Sequence, residues 1–282
     1  MHERLNYRLI KPSAAVYPGA HPGQMVGSGQ LFKRHAPLIA SPDPRRIDLR
    51  ASVLDPFNSY RVKVYQQQST INVTLIADLS ASMRFNGRFS KQHTLVQLLV
   101  AIADASHSYG DRFGFIGAAD TLKPQWQLPA SQAIGRVSLL AKQLQNTTFQ
   151  GTAHALTQVA PFLPASKGLV FLVSDFHWPL AHCKAVLGGL KGHEVIPVVL
   201  WDAQEINDWP DWRLVSLQDL ENGKTRTLLM RPKLREKIAT AYTQRQKDLK
   251  NCFRGFGMEP LFLNAGFQVA PINQYFAQRA AA

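Results

Sequence analysis

Two stretches, Ile71 to Ala77 and Gly168 to Ser174, are almost continuously apolar, and each ends at an aspartate, Asp78 and Asp175. Runs this short and this apolar read as strands buried on both faces, as parallel sheets require. Arg112 to Ala118 and Glu194 to Leu200 repeat the pattern. Helical spacing fills the intervals. Leu95, Leu98, Leu99, Ile102 and Ala105 share one face of a helix expected over 90–108, and Ile134, Val137, Leu140 and Leu144 one over 131–145. A further helix is expected over 180–190. Strands alternating with helices define an α/β chain with a doubly wound, mostly parallel sheet of the Rossmann-like kind. Ligands of such sheets bind beyond the carboxyl ends of the strands, which is where both aspartates fall.

The flanking segments add detail to this frame. Residues 1–30 are broken by Pro12, Pro18, Gly19, Pro22, Gly23, Gly27 and Gly29, and an irregular arm is expected there. Residues 43–52, Asp-Pro-Arg-Arg-Ile-Asp-Leu-Arg-Ala-Ser, alternate acids with arginines. They suit a local ion-pair network or an anion site. Tyr60 to Gln68 alternates apolar and polar side chains, and its short link to the Asp78 strand suggests an antiparallel edge strand of the same sheet. The expected organisation is an arm over 1–58 and a domain over 59–282. Within that domain, 201–212 forms an acidic loop with Asp202, Glu205, Asp208 and Asp211. Strands at 213–218 and 225–229 flank the turn signal Asn222-Gly223. A long helix over 231–252, a strand over 259–263 and a helix over 272–279 close the chain.

Lys and Arg number 32 against 19 Asp and Glu, a net charge of +13 that permits anionic partners without choosing one. Cys183 and Cys252 are too few for a disulfide framework or a zinc site and read as buried thiols. No apolar signal core opens the chain, and no window reaches the roughly 18 apolar residues of a membrane span. The sequons at Asn72 and Asn146 then carry no weight, and a cytoplasmic location is the expectation.

Asp78 is followed by Leu-Ser80-Ala-Ser82. Taken alone, this turn could be a helix cap with two solvated serines. It could also hold a hard cation, because a carboxylate at the end of a buried strand is costly unless paired. Thr152, after Gly151, opens the segment between the two strand ends, and Asp175 closes the second. A parallel sheet brings these places to one edge, so Asp78, Ser80, Ser82, Thr152 and Asp175 are expected to meet. Two carboxylates and three hydroxyls select Mg²⁺, with Mn²⁺ or Ca²⁺ as other hard cations, over zinc or copper.

These five positions resemble the metal-ion-dependent adhesion site of von Willebrand factor A domains: Asp-x-Ser-x-Ser, then a distant Thr, then a distant Asp. The segment 43–52 resembles the signature of the domain of unknown function family 58, as do Leu217 to Gly223 and the closing Gln274 to Arg279. That family usually carries Gly-Asp where this chain has Ala40-Ser41-Pro42, and Trp where it has Leu49. The resemblance implies a metal-dependent protein-binding module. Its partner would offer a carboxylate to the metal. Members are typically encoded beside MoxR-type AAA+ ATPases, so such an ATPase is the implied partner.

Two other classes compete. A metal-dependent hydrolase would use the cation to activate water, with His154 or His177 as base. The chain has no Gly-x-Ser-x-Gly elbow, His-Glu-x-x-His or phosphate loop. A nucleic-acid binder would use the positive charge, but no recognition motif accompanies it. His177, His182 and Cys183 do not have the spacing of a known zinc site. The reading is a binding protein, not an enzyme.

Overall fold

The computed structural model describes residues 4–7, 18–27, 31–40, 43–202, 212–218 and 225–281. The chain divides into two compact units, residues 9–71 and residues 1–8 with 72–282.

The first unit holds β1 (Pro18–Gly27), β2 (Leu31–Pro37), the short helix α1 (Leu49–Val53) and β3 (Arg61–Ser69). They form an antiparallel sheet in the order β1-β3-β2. Two expectations are corrected here. The arm is not irregular throughout, because 18–27 and 31–37 are strands. The strand near 60–68 is not an edge of the main sheet but the centre of this separate one. Its alternating Val62 and Val64 face a small core with Ala36, against which Leu38 and Ile47 pack. The 43–52 segment is a local ion-pair network. Asp43 pairs with Arg46 (3.0 Å), and Asp48 pairs with Lys63 (3.3 Å) while capping α1 through the amides of Arg50 and Ala51. Asp55 pairs with Arg61. Those amide bonds, then His35 and Lys63, hold the Asp48 carboxyl down to about 2.

The second unit runs β4 (Asn72–Asp78), α2 (Lys91–Ser108), β5 (Arg112–Ala118), β6 (Leu122–Ser131), α3 (Gly135–Asn146), β7 (Leu169–Ser174), α4 (Leu180–Gly189) and β8 (Glu194–Leu200). There follow β9 (Arg213–Gln218), β10 (Thr225–Met230), α5 (Pro232–Gly255), β11 (Leu261–Leu263) and α6 (Val269–Ala281). Six strands form the sheet β11-β8-β7-β4-β5-β6, all parallel except β6, the antiparallel edge. β9 and β10 pair antiparallel; the turn expected at Asn222-Gly223 lies outside the described residues, as do 203–211 of the acidic loop.

The central strands are buried along almost their whole length, which is why their sequences show no alternation. α2 covers one face with Leu95, Leu98, Leu99 and Ile102. α4 and the end of α5 belong to the core that holds Leu172, Val186, Leu187, Leu249 and Phe253. α5 buries side chains fully only toward its end, at Leu249, Cys252 and Phe253. Cys183 and Cys252 are buried free thiols with sulfurs 4.0 Å apart, and burial pushes the Cys183 thiol up to about 12. After Thr152 the chain makes two short 3₁₀ turns, His154–Gln158 and Ala160–Phe162.

From β4 the chain passes through α2 to β5 on one side, whereas β7 lies on the other side of β4 and leads outward to β8. The gap between the ends of β4 and β7 is therefore the topological switch point. Leu75, fully buried on β4, anchors this centre. Leu75→Ala is expected to lower unfolding free energy by about 2–5 kcal/mol through loss of burial and a residual cavity, measured by urea denaturation.

Candidate functional site

Asp78 ends β4 with no solvent exposure. Its Oδ1 accepts the Ser80 amide (2.9 Å), and its Oδ2 accepts the Ser174 hydroxyl (2.7 Å) and the Trp178 indole N–H (3.1 Å). These bonds fold the Asp-x-Ser turn back on itself and bring the Ser80 and Ser82 hydroxyl oxygens within 3.1 Å of each other.

Asp175, one residue past β7, is also wholly buried. Its Oδ2 accepts the Lys91 ammonium at 2.9 Å, and Lys91 is itself only 1% exposed. Lys91 is the first residue of α2 and also lies 5.3 Å from the centre of the Phe85 ring. The other carboxylate oxygen takes the weaker bond from the His177 amide, 3.3 Å. The backbone after Asp175 is sharply turned. Phe176 has φ of 52°, a strained value for a bulky residue. Arg245 of α5 donates to the carbonyls of Phe176 and Trp178, and Trp201 donates to the carbonyl of Asp175 at 2.7 Å.

Thr152 reaches the same edge through its neighbours. Gly151 accepts the Ala81 amide at 3.0 Å, which fastens its loop to the serine turn. Both the amide and the hydroxyl of Thr152 donate to Asp120 Oδ1, at 2.8 and 2.7 Å. Those bonds hold the Asp120 carboxyl below its ordinary range. Gly151 has φ of 78°, and a Cβ there would lie 1.9 Å from Asp120 Oδ2. Only glycine lets the two loops meet this closely.

Of the five expected residues, the structure thus joins Asp78, Ser80 and Ser82 in one turn, places Asp175 at the end of the neighbouring strand, and ties the Thr152 loop to that turn. Sequence reasoning missed two participants. Lys91 was signalled by its place on the apolar stripe of α2, four residues before Leu95. Asp120 was signalled by the rule that picked out the other two aspartates, since it follows β5 at the same edge. The rings of three histidines near this edge are engaged with ring neighbours. His177 stacks on Trp201, His154 stacks on His182, and His182 also meets Trp178 edge to face.

Asp78 and Asp175 are both buried and act on one another, and the Lys91 ammonium is bonded to Asp175. Burial, then the Asp175 charge, pushes the Asp78 carboxyl up to about 6. Burial acts on Asp175 in the same direction, but Lys91, then His177, hold it below its ordinary value. A second positive charge would relieve the excess. Among the described residues no three His, Cys, Asp or Glu side chains converge as a metal site, so hydroxyls would have to complete any coordination. Those of Ser80, Ser82 and Thr152 can do so: a hydroxyl that donates its proton keeps lone pairs for a cation. The donor set fits a hard cation.

Fold and site together define a doubly wound α/β domain of the von Willebrand A or Rossmann-like kind, with an oxygen-rich carboxyl edge. The chain belongs to the family described as protein of unknown function DUF58, whose profile matches residues 43–248. An uncharacterized protein of Mycobacterium tuberculosis is 24% identical over 98% of this chain and 86% of its own length. An uncharacterized protein in the moxR 3′ region of Paracoccus denitrificans is 31% identical over 99 residues, 35% of this chain and 94% of that one. Among solved structures, the conserved hypothetical protein BatB of Bacteroides thetaiotaomicron is similar over 75% of this chain and 100% of that one, at 18% identity and a TM-score of 0.45.

Removing Lys91 leaves the Asp175 charge uncompensated. Lys91→Met is expected to cost about 3–5 kcal/mol in chemical denaturation. The pH dependence has a definite sign. A folded value near 6 for Asp78, against an ordinary 3.8, means that the folded chain takes up this proton more readily than the unfolded one. Asp78 therefore favours folding below about 4, and that contribution is lost as the pH rises through about 6, by on the order of 3 kcal/mol. Thermal melts in chelator should show wild type losing ground to Asp78→Asn between pH 4 and 7.

Proposed function

We propose that the chain is a metal-dependent protein-binding module. Asp78, Ser80, Ser82, Thr152 and Asp175 would hold a divalent cation, Mg²⁺ with Mn²⁺ or Ca²⁺ as close substitutes. When bound, such a cation supplies an open coordination position for an oxygen anion. The protein's own part is to hold the oxygens in place. Asp78 shapes the serine turn, Asp120 orients Thr152, and Lys91 keeps Asp175 ionised beside a second carboxylate. The ligand that suits this edge is a carboxylate side chain of a partner protein.

One observation carries this reading: two fully buried carboxylates stand at the switch point, Asp175 of them paired with Lys91, beside paired serine hydroxyls. Binding is favoured over catalysis because, among the described residues, the hydrogen bonds of Ser80, Ser82 and Thr152 run between the serines and to Asp120, a different arrangement from the hydroxyl–imidazole pair of nucleophilic chemistry. Ser80 is paired with Ser82. Thr152 is held through amide and hydroxyl alike by Asp120, which makes Asp120 a clamp. A MoxR-type AAA+ ATPase is the partner we propose, supported by the relative in the moxR 3′ region.

Isothermal titration with Mg²⁺ tests the metal step. Wild type is expected to bind and Asp78→Ala to lose binding at least about tenfold; equal binding by both would overturn the proposal. Affinity capture in Mg²⁺ against capture in chelator then tests the partner, and the ATPase is expected only in the first.

A further inference from the structure

The unit 9–71 carries a feature that the metal edge does not use. Among the described residues, seven of the twelve large apolar side chains left exposed lie between Phe32 and Tyr60. The small core of the same unit consists of Ala36, Val62 and Val64.

α1 is turned the wrong way round for a core helix. Ser52 of the helix and its cap residue Asp48 are the side chains engaged with the sheet. Ser52 Oγ accepts the Arg61 amide at 2.8 Å, and Asp48 reaches His35 and Lys63. Leu49 and Val53 of the same helix are 70% and 83% exposed. Leu54 follows at 79%, Phe57 at 84%, Tyr60 at 59% and Ile39 at 96%.

These side chains are held on fixed turns. Asp55 accepts the Ser59 amide at 3.0 Å and pairs with Arg61, which closes the loop that presents Phe57 and Tyr60. Asn58, at φ of 51°, makes the tip. The Leu38 amide donates to the Tyr60 carbonyl at 2.8 Å, which sets Ile39 beside the same loop.

The charge of this unit has one sign. Residues 9–71 contain eight Lys and Arg and three Asp, and each of the three aspartates is committed to an ion pair. Arg34, Arg45 and Arg50 are exposed and make no ion pair among the described residues. Arg50 belongs to α1, as Leu49 and Val53 do.

We propose that this face, Ile39, Leu49, Val53, Leu54, Phe57 and Tyr60 with Arg34, Arg45 and Arg50, is a docking surface for an anionic phospholipid bilayer. Exposure of 59% at Tyr60 to 96% at Ile39 means that these apolar side chains stand out from the surface rather than line a groove. A protein partner would need a separate matching hollow for each, whereas the fluid boundary between headgroups and acyl chains accepts them without one. The arginines lie alongside, where lipid phosphates would meet them. The chain would then rest on a membrane with no spanning segment of its own in the described residues, where no helix is long and apolar enough to cross one.

The test is co-sedimentation of the full chain with vesicles of phosphatidylcholine containing phosphatidylglycerol, against vesicles of phosphatidylcholine alone. Wild type is expected to pellet with the anionic vesicles at low salt, and less so as salt rises. Leu54→Ser with Phe57→Ser should weaken partition by about tenfold or more. Arg45→Gln with Arg50→Gln should weaken it by about fivefold per arginine. Far-UV circular dichroism should show both double variants folded, since every side chain they alter is exposed. Asp78→Ala should pellet as wild type does, which separates this surface from the metal edge. Wild type left in the supernatant with anionic vesicles would overturn the proposal, as would both double variants pelleting unchanged. Sedimentation velocity without lipid gives the rival outcome: a dimer dispersed by Leu54→Ser with Phe57→Ser would assign the face to a second copy of the chain.

Discussion

The pairing of Lys91 with Asp175, beneath a second buried carboxylate at Asp78, is the constraint on which the rest of the second unit turns. Burying an ion pair costs several kcal/mol per charge before any attraction is counted, and here one carboxylate exceeds the pairing. The fold bears that cost by geometry. α2 must begin where its first residue reaches the end of β7, and Ser90 caps it there through the His93 amide. Asp78 must spend its oxygens on the Ser80 amide, the Ser174 hydroxyl and the Trp178 indole. A structure that needed only stability could have placed apolar residues at this switch point. The retained charge excess is the physical reason to look for a cation there.

The central sheet was legible because strands buried on both faces leave an unbroken apolar signature, and four such runs became β4, β5, β7 and β8. The first unit was harder to read. Tyr60 to Gln68 alternates, which marks a strand with one buried face but does not say which core that face meets. Its short link to β4 suggested pairing; the structure instead uses that link to leave one sheet and enter another. The arm was read as irregular from its prolines and glycines. Yet Pro18 to Gly27 pairs with β3, with shifts in register between Pro18 and His21 and between Pro22 and Val26. A neighbouring strand can impose pairing on residues whose own propensity opposes it.

The site was legible in its acids and hydroxyls, because spacing of two after a strand end is a local property. Its remaining parts depend on contacts across long sequence separations. Lys91 meets Asp175 across 84 positions and Asp120 meets Thr152 across 32. Both had weak local signals, a lysine on an apolar stripe and an aspartate after a strand, that acquire meaning only once the strand order is known. The Gly151 requirement is of the same kind. Its positive φ suits a turn, but the carboxylate that would collide with a side chain comes from another loop.

Arg245 carries the last consequence. It projects from α5, beyond the six-stranded sheet's central strands in sequence, to grip the Phe176 and Trp178 carbonyls just after Asp175. Trp201, leaving β8, holds the Asp175 carbonyl itself. The aspartate is therefore seated by parts of the chain from α2, β8 and α5 at once, less a wall of a pocket than the hub of a linkage. The backbone that carries this carboxylate is thus fixed from outside its own strand, by a side chain of the longest helix and by one that follows the neighbouring strand.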